Sequence, residues 1–228
     1  MTRDFDIGLG GVPDPFAGTV ADAVLPPPPR PTSASPSRKR HRTLGLAAAG
    51  AAILYEGAAL AVFRTRPDLA TAHVALVALE NALPLFLGAI VLVAATWKGS
   101  RGLGQSVGAL MAWVFGAPLL FVLATLAIFP TDLVDGVFWS RTETCCLVAA
   151  VLGAGPLGLG ALALRRSFVS AAGWRAAAVG VAAGALAASA MALVCPDDGA
   201  MHVLLGHGTM MLVMGLIGAG IVRRVTRI

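Results

Sequence analysis

Residues 106–129 read SVGALMAWVFGAPLLFVLATLAIF, a run without one charged side chain. At about 1.5 Å of rise per helical residue, such a run crosses the roughly 30 Å of hydrocarbon in a bilayer. Five further apolar stretches, at 44–63, 72–96, 143–164, 176–195 and 203–222, have comparable length and character. The apolar residues run on continuously instead of alternating, and lipid offers no partner to a backbone amide, so each segment must bond within itself. These stretches predict an all-α, polytopic membrane protein, a bundle of six transmembrane helices preceded by a disordered amino-terminal tail.

Composition agrees with that reading. The chain is 57% hydrophobic and 13% charged, against about a quarter charged in ordinary soluble domains. Its positive balance, +5 at pH 7, sits at the edges of the apolar runs, where anionic lipid head groups account for it, so nucleic acid is not an expected partner. Arg38, Lys39, Arg40, Arg42, Lys98, Arg101, Arg165, Arg166, Arg175, Arg223, Arg224 and Arg227 all fall on one side of a six-span topology. The other side receives Arg64, Arg66 and Arg141 with Asp68, Asp132, Asp135, Asp197 and Asp198. Basic residues favour the cytoplasmic face of short loops, which places both termini in the cytoplasm of a multi-pass protein. The first apolar stretch begins too late and runs too long for a cleaved signal peptide, and is expected to be retained.

Residues 1–43 differ in kind. Pro26 to Pro29, Pro31 and Pro36 with Ser33, Ser35 and Ser37 make a spacer ahead of the basic cluster. Upstream, Asp14 and Pro15 supply a helix cap and first turn, and Phe16, Val20, Val24 and Leu25 can form one apolar stripe. So short a helix is marginal alone in water and needs a partner's groove. An unstructured leader is the competing reading of the same residues.

Candidate chemistry gathers on the predicted outer side. Cys145 and Cys146 open the fourth span and Cys195 closes the fifth, and consecutive antiparallel helices bring those ends together. A disulfide from Cys195 to either neighbour, a thiol pair sensing oxidants or soft metals, and plain apolar packing are the three readings. His202 and His207 flank the start of the last span, and His73 opens the second. Residues five apart on an α-helix point about 140° away from each other, so His202 and His207 share a metal only if the helix starts between them. No zinc-ligand spacing such as C-x-x-C occurs, so no cofactor or resident metal is expected, and transient binding of a thiophilic ion, with His202 and His207 as its candidate ligands, is the alternative. Glu56 and Glu80 lie near mid-membrane, either as functional carboxylates or as protonated groups bonding between helices. The G-x-G-x-x-G match at Gly153 to Gly158 has neither strand nor βαβ unit around it, so its glycines, with Gly180 and Gly184, are read as helix-packing positions. No nucleophile, base and orienting group recur at useful places, which argues against an enzyme.

The ordering of these features resembles the NrsF-type membrane anti-sigma factors of bacteria and the related CarR-like regulators. The likeness rests on the Pro-rich stretch and basic residues before the first span, Arg66-Pro67-Asp68-Leu69 after it, and a Cys opening the fourth. Above all it rests on Cys195-Pro196-Asp197-Asp198 ahead of a last helix ending in Arg223-Arg224. It covers residues 20–228. The resemblance implies that the tail of an inner-membrane protein holds an extracytoplasmic-function sigma factor and releases it in a stress response to an envelope signal, an oxidant, a soft metal or a light-generated species. Its two functional cysteines carry over to Cys195 and to Cys145 or Cys146. Gly206-His207 stands where that family has an aromatic pair. The rival reading is a small transporter or channel conducting through Glu56 and Glu80.

Overall fold

The computed structural model describes residues 37–63, 65–68, 74–97, 105–129, 138–165, 171–197, 199–222 and 224. The tail segment with Phe16, Val20, Val24 and Leu25 lies outside these, as do His73, Lys98, Arg101, Asp132, Asp135, Arg166 and Asp198. Residues 36–228 form one compact unit. Among the described residues there is no strand, and six helices are long and apolar enough to cross a membrane. They are α1 (Ser37–Phe63), α2 (Val74–Thr96), α3 (Val107–Ile128), α4 (Phe138–Leu164), α5 (Ala172–Val194) and α6, which runs from 200 to 222.

Several helices begin before their apolar runs do, α1 at 37 instead of 44 and α4 at 138 instead of 143. Hydropathy marks where a segment enters hydrocarbon, whereas the hydrogen-bond ladder continues into the head-group layer. Arg and Lys are good helix formers in the first case, and Trp139 suits an interface in the second. Ser106 caps α3 by accepting the Ala109 N–H at 3.2 Å.

Helix α5 is the axis of the bundle, in contact with α1, α2, α3, α4 and α6. Its most apolar window is 89% buried, against 22% in α1 and α3. The residues explain this placement: AGWRAAAVGVAAGALAASAMALV is built from Ala and Gly, which let neighbouring backbones approach closely. The outer helices turn Leu54, Val62, Leu147 and Leu216 outward, as lipid-facing surfaces should. Asn81 on α2 supplies a polar tie, donating to the Ser189 carbonyl and hydroxyl at 2.9 and 3.0 Å.

Arg175 departs from the expectation of a loop-edge charge. Its side chain turns inward, 2% exposed, and Nη1 donates to the carbonyls of Ala95 at 2.9 Å and Trp97 at 3.1 Å. It thereby caps the carboxyl end of α2, where the helix dipole favours a cation. Arg175→Met is expected to lose about 2–3 kcal/mol, read as earlier unfolding in SDS, and Arg175→Lys less because it keeps the charge.

Candidate functional site

Four sulfur and nitrogen donors converge where α4, α5 and α6 share one end of the bundle. Cys195 closes α5, its N–H donating to Met191 O at 2.8 Å. Pro196 has no N–H with which to continue the helix, and Asp197 turns the chain by accepting the Gly199 N–H at 3.3 Å. Helix α6 then starts at Ala200. Cys145 comes from α4, and its Sγ lies 3.3 Å from Cys195 Sγ, both as free thiols. Adjacent residues on a helix lie about 100° apart, so only one of the Cys pair can face α5. Cys146 turns instead toward the carbonyls of Leu205 and Gly206, at 3.5 and 3.7 Å.

The histidines are brought together by a backbone device that spacing alone does not predict. After one α-helical turn, Ala200–His202, residues Val203–Gly208 form a π-helix, and Thr209–Ile217 return to α. An i→i+5 register lays residues five apart one above the other. The helix therefore begins ahead of both His202 and His207 and still points them to one side. Their rings meet edge to face at 5.6 Å. Within this turn the Leu205 carbonyl accepts from the Thr209 hydroxyl at 2.5 Å as well as from Cys146.

Within the cluster, one ligand atom from each of Cys145, Cys195, His202 and His207 lies within 4.8 Å of the others. His202 Nε2 is 3.2 Å from Cys195 Sγ. Its other nitrogen, Nδ1, faces Thr142 Oγ1 at 3.3 Å and Asp197 Oδ2 at 3.5 Å. Asp197 also lies 3.8 Å from Arg141. His207 Nδ1 points toward Glu80 Oε1 at 3.8 Å, outside hydrogen-bond range, and neither ring nitrogen has a hydrogen-bond partner among the described residues. His202 is 2% and His207 1% exposed. The floor is a small apolar cluster of Ala149, Leu152, Ala187, Ala190, Met191 and Met210.

The link after α1 braces this end. The Arg66 N–H donates to Leu193 O at 2.9 Å and its Nη2 to Pro196 O at 3.4 Å. Nε and Nη2 of Arg66 also grip the Asp68 carboxylate, at 2.8 and 2.6 Å, and hold that carboxyl below the usual carboxylate range. The Arg-Pro-Asp and Cys-Pro-Asp elements, remote in sequence, are thus one structural unit. It stands a full helix away from the start of α1.

Of the sequence candidates, the fold joins Cys145, Cys195, His202, His207 and Glu80. It leaves Cys146 beside the cluster and Glu56 on α1, buried and without a hydrogen-bond partner among the described residues. The interhelical bond expected of Glu56 is not made, and Asn81 provides one instead. The partners Asp197, Thr142 and Arg66 were missed as site residues, although Thr142 precedes Cys145 by the three positions that share a helix face.

Five apolar helices around a sixth, Ala/Gly-rich one, with a cluster of sulfur and nitrogen donors at one end, define a polytopic membrane protein. The chain belongs to the NrsF family, described as negative regulator of sigma F, whose model matches residues 30–228. This is a family of sigma-factor regulators, not of enzymes. The match starts after the 14–25 segment, ten residues later than the resemblance suggested. No curated protein and no solved structure matches the chain.

Proposed function

We propose that this protein is an anti-sigma factor of the bacterial inner membrane, which holds an extracytoplasmic-function sigma factor through tail residues 14–25 and releases it when Cys145 and Cys195 change their bonding. The observation that carries the reading is the 3.3 Å approach of the two thiols, a full helix away from the start of α1. A sigma factor works in the cytoplasm, so the tail belongs there, in keeping with the basic residues that adjoin it. The cysteine end then faces the oxidising side of the membrane.

An envelope hydroperoxide supplies the chemistry. One sulfur takes the terminal oxygen as a sulfenic acid and water or an alcohol leaves; the second sulfur displaces the sulfenic oxygen as water and closes a disulfide. Closure to about 2.05 Å draws α4 and α5 together by about an ångström. Because α5 touches every other helix, a shift at its end is felt through the bundle as far as α1, the helix that follows the tail in sequence.

The test is recovery of the sigma factor with detergent-solubilised protein. The full chain should retain it, and a version lacking residues 1–30 should fall to background. Equal recovery from the two would defeat docking by the tail.

A further inference from the structure

We propose that Cys145, Cys195, His202 and His207 form a four-coordinate site for a thiophilic divalent cation, Zn²⁺ by its donor set, with Asp197 and Glu80 orienting the two imidazoles. The site uses the same thiols as the release reading but does not depend on a sigma factor.

The donor geometry comes first. Tetrahedral Zn²⁺ with bonds of about 2.0–2.3 Å sets its ligand atoms about 3.3–3.8 Å apart. Cys145 and Cys195 Sγ are 3.3 Å apart and Cys195 Sγ and His202 Nε2 3.2 Å, with every pair inside 4.8 Å. Side-chain adjustments of about an ångström at the widest pair complete the tetrahedron. Two sulfurs and two imidazoles select zinc-like ions over Ca²⁺ and Mg²⁺, which take oxygen.

The second observation is His207. An imidazole 1% exposed with no hydrogen-bond partner at either nitrogen among the described residues is costly in a protein interior, where buried polar groups are ordinarily satisfied. A cation at the cluster takes the Nε2 lone pair. The Nδ1–H then faces Glu80, 3.8 Å away. His202 repeats the arrangement, with Nδ1 toward Asp197 and Thr142 and Nε2 toward Cys195. Ligating histidines characteristically give their second nitrogen to a carboxylate, which fixes tautomer and ring orientation. Here each imidazole has its own, from a different helix or link.

Charge balance supports the same conclusion. Two thiols each lose a proton on binding, and the resulting thiolates neutralise the divalent ion, so the loaded cluster adds no net charge to a poorly solvated region. Asp197, with 27% of its side chain exposed, is a partly solvated carboxylate beside the cluster. The π-helix is the structural device that makes the site: an α-helical register across Val203–Gly208 would swing His207 away from His202.

The experiment titrates the tag-free full chain, in detergent, reduced and stripped by chelator, with Co²⁺ alone. One equivalent should produce the intense visible bands and sulfur-to-cobalt charge transfer of a tetrahedral thiolate site, and Zn²⁺ should bleach them. Cys146→Ser should keep the spectrum. Cys195→Ser and His207→Gln should weaken Co²⁺ binding by more than 100-fold. Glu80→Gln removes no ligand and should weaken binding about 10- to 100-fold, which answers the question if a ligand variant does not fold. Absence of thiolate-to-cobalt bands in the reduced parent, or equal affinity in His207→Gln and Glu80→Gln, would overturn the site. Sigma-factor retention is measured on the same preparations: normal retention without the bands refutes the metal site alone, and the bands without retention refute only the docking reading.

Discussion

The Cys195→Ser protein is expected to keep its sigma factor through a peroxide challenge that empties about half of the parent protein. Lowering occupancy from about 99% to 50% changes the bound-to-free ratio about 100-fold, or about 2.7 kcal/mol. A closed disulfide supplies a difference of that size between two packings of one bundle. Serine is nearly the same size as cysteine and still hydrogen-bonds, but it cannot form the covalent link. Release by oxidant should therefore change less than 2-fold in Cys195→Ser and in Cys145→Ser, while retention before the challenge stays at the parental level. Cys146→Ser should respond like the parent, because its sulfur lies against the Leu205 and Gly206 carbonyls instead of Cys195. The measurement is the fraction of sigma factor retained with and without peroxide. Parental release from Cys195→Ser would sink the thiol-pair account.

Gly180→Ala is expected to do more damage than any other single methyl added to the bundle. A Cβ at Gly180 would strike the Met214 carbonyl oxygen and its carbon, and one at Gly184 would lie 2.5 Å from Met210 O and Met211 Cα. These are backbone atoms of α6, with no flexible side-chain end to swing aside. Nor can α5 retreat, since it is enclosed by the other helices. Added volume in a packed core typically costs about 1–3 kcal/mol, and occasionally more; with backbone on the opposing side, at least about 3 kcal/mol is expected here. Gly50→Ala and Gly108→Ala meet nothing within 4 Å and should be neutral, or stabilising by up to about 1 kcal/mol as helix formers. Yield of monodisperse protein and SDS unfolding midpoints decide the matter. Equal midpoints for Gly180→Ala and Gly50→Ala would refute the close-packing account.

Much of the site was legible because membrane topology is a strong constraint. Once the spans are placed, Cys145, Cys195, His202 and His207 must occupy the same end, whatever the details. Angular position was not legible. Cys145 and Cys146 are indistinguishable by composition, and only the facing of α4 against α5 separates them. The meeting of His202 and His207 is not legible from their spacing, because an α-helical period turns residues five apart about 140° from each other whereas residues 203–208 adopt the wider π register. Glu56 and Glu80 are alike in sequence as mid-span carboxylates, yet Glu80 lies toward His207 and Glu56 is buried without a hydrogen-bond partner among the described residues.

The sequence by itself determined that the chain is helical, that it crosses a membrane six times and that its chemistry-bearing residues gather at one end. Those properties follow from transfer free energy and backbone hydrogen bonding, which depend on the length and polarity of a segment and little on its neighbours. Tertiary structure alone decided that the Ala/Gly helix is the axis, that Arg175 caps α2, that Arg66 braces Cys195, and which sulfur and nitrogen atoms meet. Such pairings depend on the rotation of each helix about its own axis, and that rotation is set by close packing among all six at once.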